Sequence, residues 1–181
     1  MKNLFFLPIC FMVFWANAQV SKVSIQASGL TCSMCSNSIN KALQSLDYVK
    51  EVEADIKNSS FEVSFKDPTK VNFDQLKKKV EDAGFFVARF EASMVFNHEN
   101  IFNDAHVKSN GYLLHFLKVP EKNLTGEVKV KFLDKGFVSA KEYKKNGSLT
   151  KMECYKTGLT AACCKLQNQA EGSRIYHVTL P

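Results

Sequence analysis

Gly29-Leu30-Thr31-Cys32-Ser33-Met34-Cys35 decides how the chain is read. Before it, Val23 to Ala27 alternates apolar and polar residues, the period of a strand with one buried face. After it, Ile39, Ala42, Leu43 and Leu46 repeat at helical spacing. The two cysteines therefore stand on a loop that runs into a helix N-terminus. Free backbone N–H groups and the positive end of the helix dipole lower a thiol's pKa there, and thiolate is the form that binds soft metal. Such a pair can act as a metal claw, a redox dithiol or a structural disulfide.

Working outward, the sequence predicts a helix from near Cys35 to about Leu46 and a strand through Val49, Val52 and Ile56. Asn58-Ser59-Ser60 is a turn, and Phe61, Val63 and Phe65 alternate with Glu62, Ser64 and Lys66, which completes a hairpin. Asp67-Pro68-Thr69 breaks that strand. Asn72 is a helix N-cap, Phe73, Leu76, Val80 and Ala83 form a second apolar stripe, and Gly84 stands where a left-handed residue ends a helix. Phe85 to Phe90 is a last strand. The order β-α-β-β-α-β is that of a ferredoxin-like split βαβ unit.

That order, the Gly-x-Thr-Cys-x-x-Cys loop and Glu81-Asp82-Ala83-Gly84-Phe85 together resemble the heavy-metal-associated (HMA) domain family. Copper chaperones and the N-terminal metal domains of copper-transporting ATPases belong to it. The resemblance covers about residues 20–91. It implies one metal ion held between Cys32 and Cys35, and an aromatic or basic residue beside the site, a place Phe85 occupies. The family's usual Met before the Thr is Leu30 here, a residue of similar volume that packs under the loop. Two soft thiolates with no third ligand nearby suit near-linear Cu(I). Zn(II) prefers four ligands, and the loop offers neither carboxylate nor His. Hg(II) also accepts two thiolates. The spacing of Met34 points it away from an ion.

The redox reading is the alternative: a thiol-disulfide exchange protein with Cys-x-x-Cys at a helix start. A thioredoxin-like fold needs more chain before the motif than Gln19 to Thr31, and a cis-proline facing the dithiol. Pro68, Pro120 and Pro181 are the prolines beyond the leader, and none precedes a strand in the right place. A disulfide closing so short a loop adds little stability.

The leader is itself a reading. Met1-Lys2-Asn3 is a short positive start, Leu4 to Trp15 is apolar apart from Pro8, and Ala16-Asn17-Ala18 is a small-residue cleavage site. The run is shorter than the roughly 20 residues needed to span a bilayer. The expectation is a signal peptide over 1–18, cleavage after Ala18, and a periplasmic or secreted protein with no membrane anchor. Leu7-Pro8-Ile9 before Cys10 lacks the small residue that lipid attachment needs.

Residues 19–91 carry ten Lys/Arg and ten Asp/Glu, whereas 92–181 carry thirteen and eight. This shift places a domain boundary near Glu91, giving an HMA domain over 19–91 and a β-rich domain over 92–181. The positive excess is scattered over single positions, a solvated surface and not a nucleic-acid interface. Tyr112 to Val119, Val128 to Phe132 and Ile175 to Leu180 read as strands, with Phe137-Val138 as a continuation past a turn. Helical turns fit Ala140 to Lys145 and the stretch after Thr160. The fold class is α+β: a βαββαβ domain followed by a small, mainly antiparallel β domain, expected as a sandwich or barrel.

Cys154, Cys163 and Cys164 leave two readings open. Adjacent cysteines rarely bond to each other because the small ring strains the peptide. Either Cys154 pairs with one of the two in a disulfide, or all three hold a second Cu(I). Met94, His98 and His106 form a weak ligand pattern at the start of this region. His115 and His177 read as core histidines. No acid/base pair, nucleophile triad or phosphate loop stands out, so the expected function is not an enzyme's. The reading is an exported metallochaperone or sequestering protein that exchanges copper with a copper-transporting ATPase or another exported copper protein, or an Hg(II) scavenger using the same claw.

Overall fold

The computed structural model describes residues 20–30, 32–164 and 171–181. The leader expected over 1–18, with Cys10 and the cleavage after Ala18, lies outside the described residues, as does Thr31.

Among the described residues, eight strands form one sheet. In chain order they are β1 (Val20–Ser28), β2 (Val49–Asp55), β3 (Ser60–Phe65), β4 (Phe86–Ile101), β5 (Ala105–Ser109), β6 (Tyr112–Phe116), β7 (Lys122–Phe132) and β8 (Ile175–Thr179). The helices are α1 (Ser33–Gln44), α2 (Phe73–Asp82), α3 (Ala140–Asn146) and the single turn α4 (Cys154–Thr157). The sheet order is β2-β3-β1-β4-β7-β8-β6-β5. Its first four strands are antiparallel and alternate with α1 and α2, which is the expected βαββαβ unit.

Local chemistry explains these boundaries. The Asn72 side chain accepts a hydrogen bond from the Gln75 N–H and caps α2. The helix ends in a Schellman motif: Gly84, at φ +90°, donates to the Glu81 carbonyl, and Phe85 donates to the Val80 carbonyl. Asn110 and Gly111, both at positive φ, make the tight turn between β5 and β6, a conformation that suits the twist of a hairpin.

The boundary placed at 91/92 falls inside β4, which runs unbroken for 16 residues. Its first half pairs with β1, and its second half pairs with β7, with both partners present from Glu91 to Met94. The signal was in the sequence: Phe90, Ala92, Met94 and Phe96 keep the alternation of β4, and all four are buried. Among the described residues neither a sandwich nor a barrel forms, because the later strands extend the first sheet. The β6–β8 pair is parallel, joined in the order of a crossover rather than a hairpin. Phe137 and Val138 do not continue β7; a lone bridge joins Lys135 to Val138. A helical turn forms at Cys154. Of the stretch after Thr160 where another was expected, residues 165–170 lie outside the described residues.

One core runs the length of this sheet. Ile39 and Leu43 of α1 and Phe73, Leu76 and Val80 of α2 pack on Val23, Ile25, Phe61 and Phe90, and the same core continues to Phe132, Leu114, Phe116, Tyr176 and Val178. Phe73 alone touches Phe90, Tyr112, Phe132 and Tyr176. Because side chains alternate along a strand, Leu113 and Ile175 face the other way and pack against Cys154, Met152, Cys163 and Cys164. Residues between Met152 and Cys164 thus cover part of that second face. This is why β6 is apolar on both sides.

No helix among the described residues is long and apolar enough to cross a membrane.

Candidate metal centre

Cys32 is the N-cap of α1. Its extended backbone, at φ −153° and ψ 159°, turns the sulfur back over the first turn, where it accepts from the Cys35 N–H at 3.3 Å. The helix then carries Cys35 round to the same side, and the two sulfurs lie 2.6 Å apart. Cys32 is exposed and Cys35 half-buried. Hydrogen bonds from the Cys35 thiol and from the Cys35 N–H hold the Cys32 thiol below its ordinary pKa, favouring thiolate at the mouth of the loop. Leu30 is packed against the core beneath, as expected of the residue under the loop. Met34 is 81% exposed, directed into solvent.

Leu30, Ser33, Ser36, Ile56 and Ser59 line the hollow beside Cys32. Phe85, expected beside the cysteines, is not among them. Its place in the Schellman motif folds it against the core with Val80.

The second cysteine group also converges. One ligand atom each from Cys154, Cys163 and Cys164 lies within 4.8 Å of the others, and the Cys163 and Cys164 sulfurs are 3.7 Å apart. All three are free thiols. Burial and the neighbouring thiols push Cys154 up. Burial also pushes up Cys164. At Cys163 burial acts in the same direction, but hydrogen bonds from the Cys154 backbone and the Cys164 thiol outweigh it and lower the pKa.

Histidines join this group in a way the sequence reading missed. An imidazole nitrogen of His106 and one of His115 lie within 4.8 Å of each other and of Cys154 Sγ. The His106 and His115 rings are stacked at 4.2 Å. His177 Nε2 stands 3.5 Å from Cys154 Sγ. His115 and His177 are core histidines by burial, but each faces a thiol on one side and a carboxylate on the other. Burial, with the neighbouring imidazoles of His106 and His177, drives His115 down to about 3, so it stays neutral. The grouping of Met94, His98 and His106 does not form: Met94 is in the main core, and exposed His98 pairs with Thr125. The available signal was chemical. A histidine on a strand apolar on both faces needs polar partners, and those partners had to come from distant sequence.

The first four strands with α1 and α2 make a ferredoxin-like unit that presents a Cys-x-x-Cys loop at the start of its first helix. That architecture and loop define a class of small thiolate-bearing domains. The sequence pattern of the heavy-metal-associated domain matches residues 24–86, and the chain belongs to that family. It is 32% identical over 68 residues to the copper chaperone CopZ of Staphylococcus haemolyticus, covering 38% of this chain and 97% of that one. It is 34% identical over 71 residues to the periplasmic component of mercuric transport of Pseudomonas fluorescens, covering 39% and 75%. It is 32% identical over 81 residues to a probable copper-transporting ATPase of Arabidopsis thaliana, covering 45% of this chain and 8% of the ATPase. The chain thus spans under a tenth of the length of the copper-transporting ATPases it matches. The heavy-metal-binding character of the domain follows from its family.

Proposed function

We propose that the chain is an exported carrier of a thiophilic ion, foremost Cu(I), which it holds between Cys32 and Cys35 and passes on by thiolate exchange. The observation that carries this reading is the exposed sulfur pair at the N-terminus of α1, 2.6 Å apart, with Cys32 held toward thiolate. Two soft donors and no third ligand in the loop favour a two-coordinate d10 ion over Zn(II), which prefers four. Exposure lets an incoming thiolate add to the ion before an outgoing one leaves, so the metal moves without being released. The donors suit a partner with a similar cysteine pair, such as the metal domain of a copper-transporting ATPase or another exported copper protein. The 1–18 leader supports export to a periplasmic or secreted location. Nothing about the loop requires catalysis, and the role is that of a carrier, not an enzyme.

Hg(II) is the second cargo to weigh, favoured by the 34% identity to a mercuric transport component over three quarters of its length. A thiol-disulfide exchange role uses the same pair without metal.

A Cu(I) competition titration of the reduced chain against a chromogenic chelator tests the proposal. The Cys32→Ser/Cys35→Ser variant should bind one equivalent fewer than the wild type. Equal Cu(I) uptake by both proteins would sink it. Displacement of loop-bound Cu(I) by stoichiometric Hg(II), but not by Zn(II), would rank the cargoes.

A further inference from the structure

His115 and His177 are register partners in the parallel β6–β8 pair, and both side chains are fully buried. His115 Nδ1 lies 3.6 Å, and His177 Nε2 3.5 Å, from the sulfur of Cys154, itself fully buried. On the far side of each ring stands a carboxylate. Asp104 Oδ1 is 3.1 Å from His115 Nε2, and Asp134 Oδ1 is 3.0 Å from His177 Nδ1. A carboxylate only accepts, so the ring protons belong on His115 Nε2 and His177 Nδ1. The lone pairs of His115 Nδ1 and His177 Nε2 then both face one sulfur.

A thiol has a single proton and satisfies only one of those two nitrogens. The other is a buried acceptor turned toward an acceptor, in a place where water does not reach. An unmade hydrogen bond of this kind costs about 1–3 kcal/mol. A cation in that position removes the conflict, since it takes the thiolate and both lone pairs together. Imidazoles backed by carboxylates are the arrangement that orients metal-ligating histidines and raises their basicity. Cys163 and Cys164 add two more sulfurs within 4.8 Å of Cys154. Nearby, the buried Nε2 of His106 has no hydrogen-bond partner.

We propose that Cys154, His115 and His177, with Cys163 and Cys164, form a second metal site on the sheet face opposite α1 and α2, built for a thiophilic d10 cation. Cys154 is common to two convergent sets, one with His106 and His115 and one with Cys163 and Cys164, and His177 Nε2 stands 3.5 Å from the same sulfur. Sulfur and imidazole donors of this kind suit trigonal or tetrahedral coordination, which Cu(I) and Zn(II) both accept. The site differs from the loop in kind. Cys154, His115 and His177 are fully buried and the two imidazoles are braced by carboxylates, with Cys163 and Cys164 half-buried beside them, so the site retains an ion where the exposed loop exchanges one. The proposal is independent of the loop's role, because the test removes the loop cysteines.

The alignment of Cys154, His177 and Asp134 also has the order of a nucleophile, a base and its orienting acid. A nucleophile must meet its substrate, and Cys154 is sealed from solvent.

The test uses the full chain carrying Cys32→Ser and Cys35→Ser, reduced, titrated with Cu(I) and separately with Zn(II). One equivalent of either ion should bind, with sulfur and nitrogen scatterers in its X-ray absorption spectrum and a rise in Tm. Adding Cys163→Ser and Cys164→Ser, or His177→Gln alone, should weaken binding at least tenfold, with circular dichroism showing that each variant remains folded. Binding of neither ion overturns the proposal. So does rapid alkylation of Cys154 in the folded, metal-free protein, which would favour the nucleophile.

Discussion

Arg174, the residue before β8, grips Asp74 in the first turn of α2, with Nε 2.9 Å from Oδ2 and Nη2 3.3 Å from Oδ1. The Tyr176 hydroxyl donates to the same Asp74 oxygen at 2.9 Å, and the guanidinium lies over the Tyr176 ring at 4.1 Å. A hundred residues of sequence separate the partners. The contact joins a helix of the metal-binding unit to the strand that carries His177.

Burial raises the Asp74 carboxyl, but Arg174 and the Tyr176 hydroxyl outweigh it and hold the group below its usual 3.8. A carboxylate depressed in the folded state adds stability above its unfolded pKa and loses it as the pH falls through the folded value. Asp74→Asn should therefore lower Tm at pH 7, with the gap to wild type closing toward pH 3. Both side chains are about a third exposed, at 30% and 38%, so the effect should stay near 1 kcal/mol. That corresponds to roughly 2–4 °C at this chain length. A gap of constant size across that pH range would mean that the charge pair contributes nothing.

Phe73→Ala tests whether the two regions fold as one. The ring is fully buried and contacts aromatic residues on β4, β6, β7 and β8. Its loss should cost about 3–5 kcal/mol. Native-state hydrogen exchange should show protection falling together in β1 and β8. Full protection retained in β8 would separate the two regions.

Thiol labelling should follow the surroundings of each sulfur. Cys32, exposed and held toward thiolate, should react first with iodoacetamide at pH 7, and Cys154, buried and pushed the other way, last. Mass mapping of the early and late products reads the order, and Cys154 reacting ahead of Cys32 would contradict it.

Asp104→Asn probes the carboxylate behind His115. Asp104 sits at φ +64°, a conformation that Asn also accepts. The substitution should leave the metal-free fold intact and weaken the buried site about 10–100-fold, as other second-layer losses do. Metal affinity unchanged in the Cys32→Ser/Cys35→Ser background would show that His115 needs no such support.

The first four strands and two helices were legible because each is announced by neighbours in sequence. Asn72 caps its own helix, Gly84 ends it, and Phe61, Val63 and Phe65 alternate without interruption. The second region resisted for two physical reasons. β5 is short and carries His106 and Lys108 among few apolar residues, so its pairing with β6 leaves little pattern. The convergence of His115, Cys154 and His177 depends on a parallel crossover and a covering segment, neither of which has a local signature. The continuation of β4 was different: the alternation through Phe96 was plain, and a change in charge balance at Glu91 drew the boundary across it.

β4 has a consequence for how such chains can vary in length. A linker tolerates residues gained or lost one at a time. Within a strand shared by two halves of a sheet, one inserted or deleted residue turns every later side chain to the opposite face. Between Glu91 and Met94, where β1 and β7 both hold the strand, a single insertion would carry Phe96 out of the core. Indels there should be tolerated in pairs, and single ones only beyond Phe96, where the register already shifts.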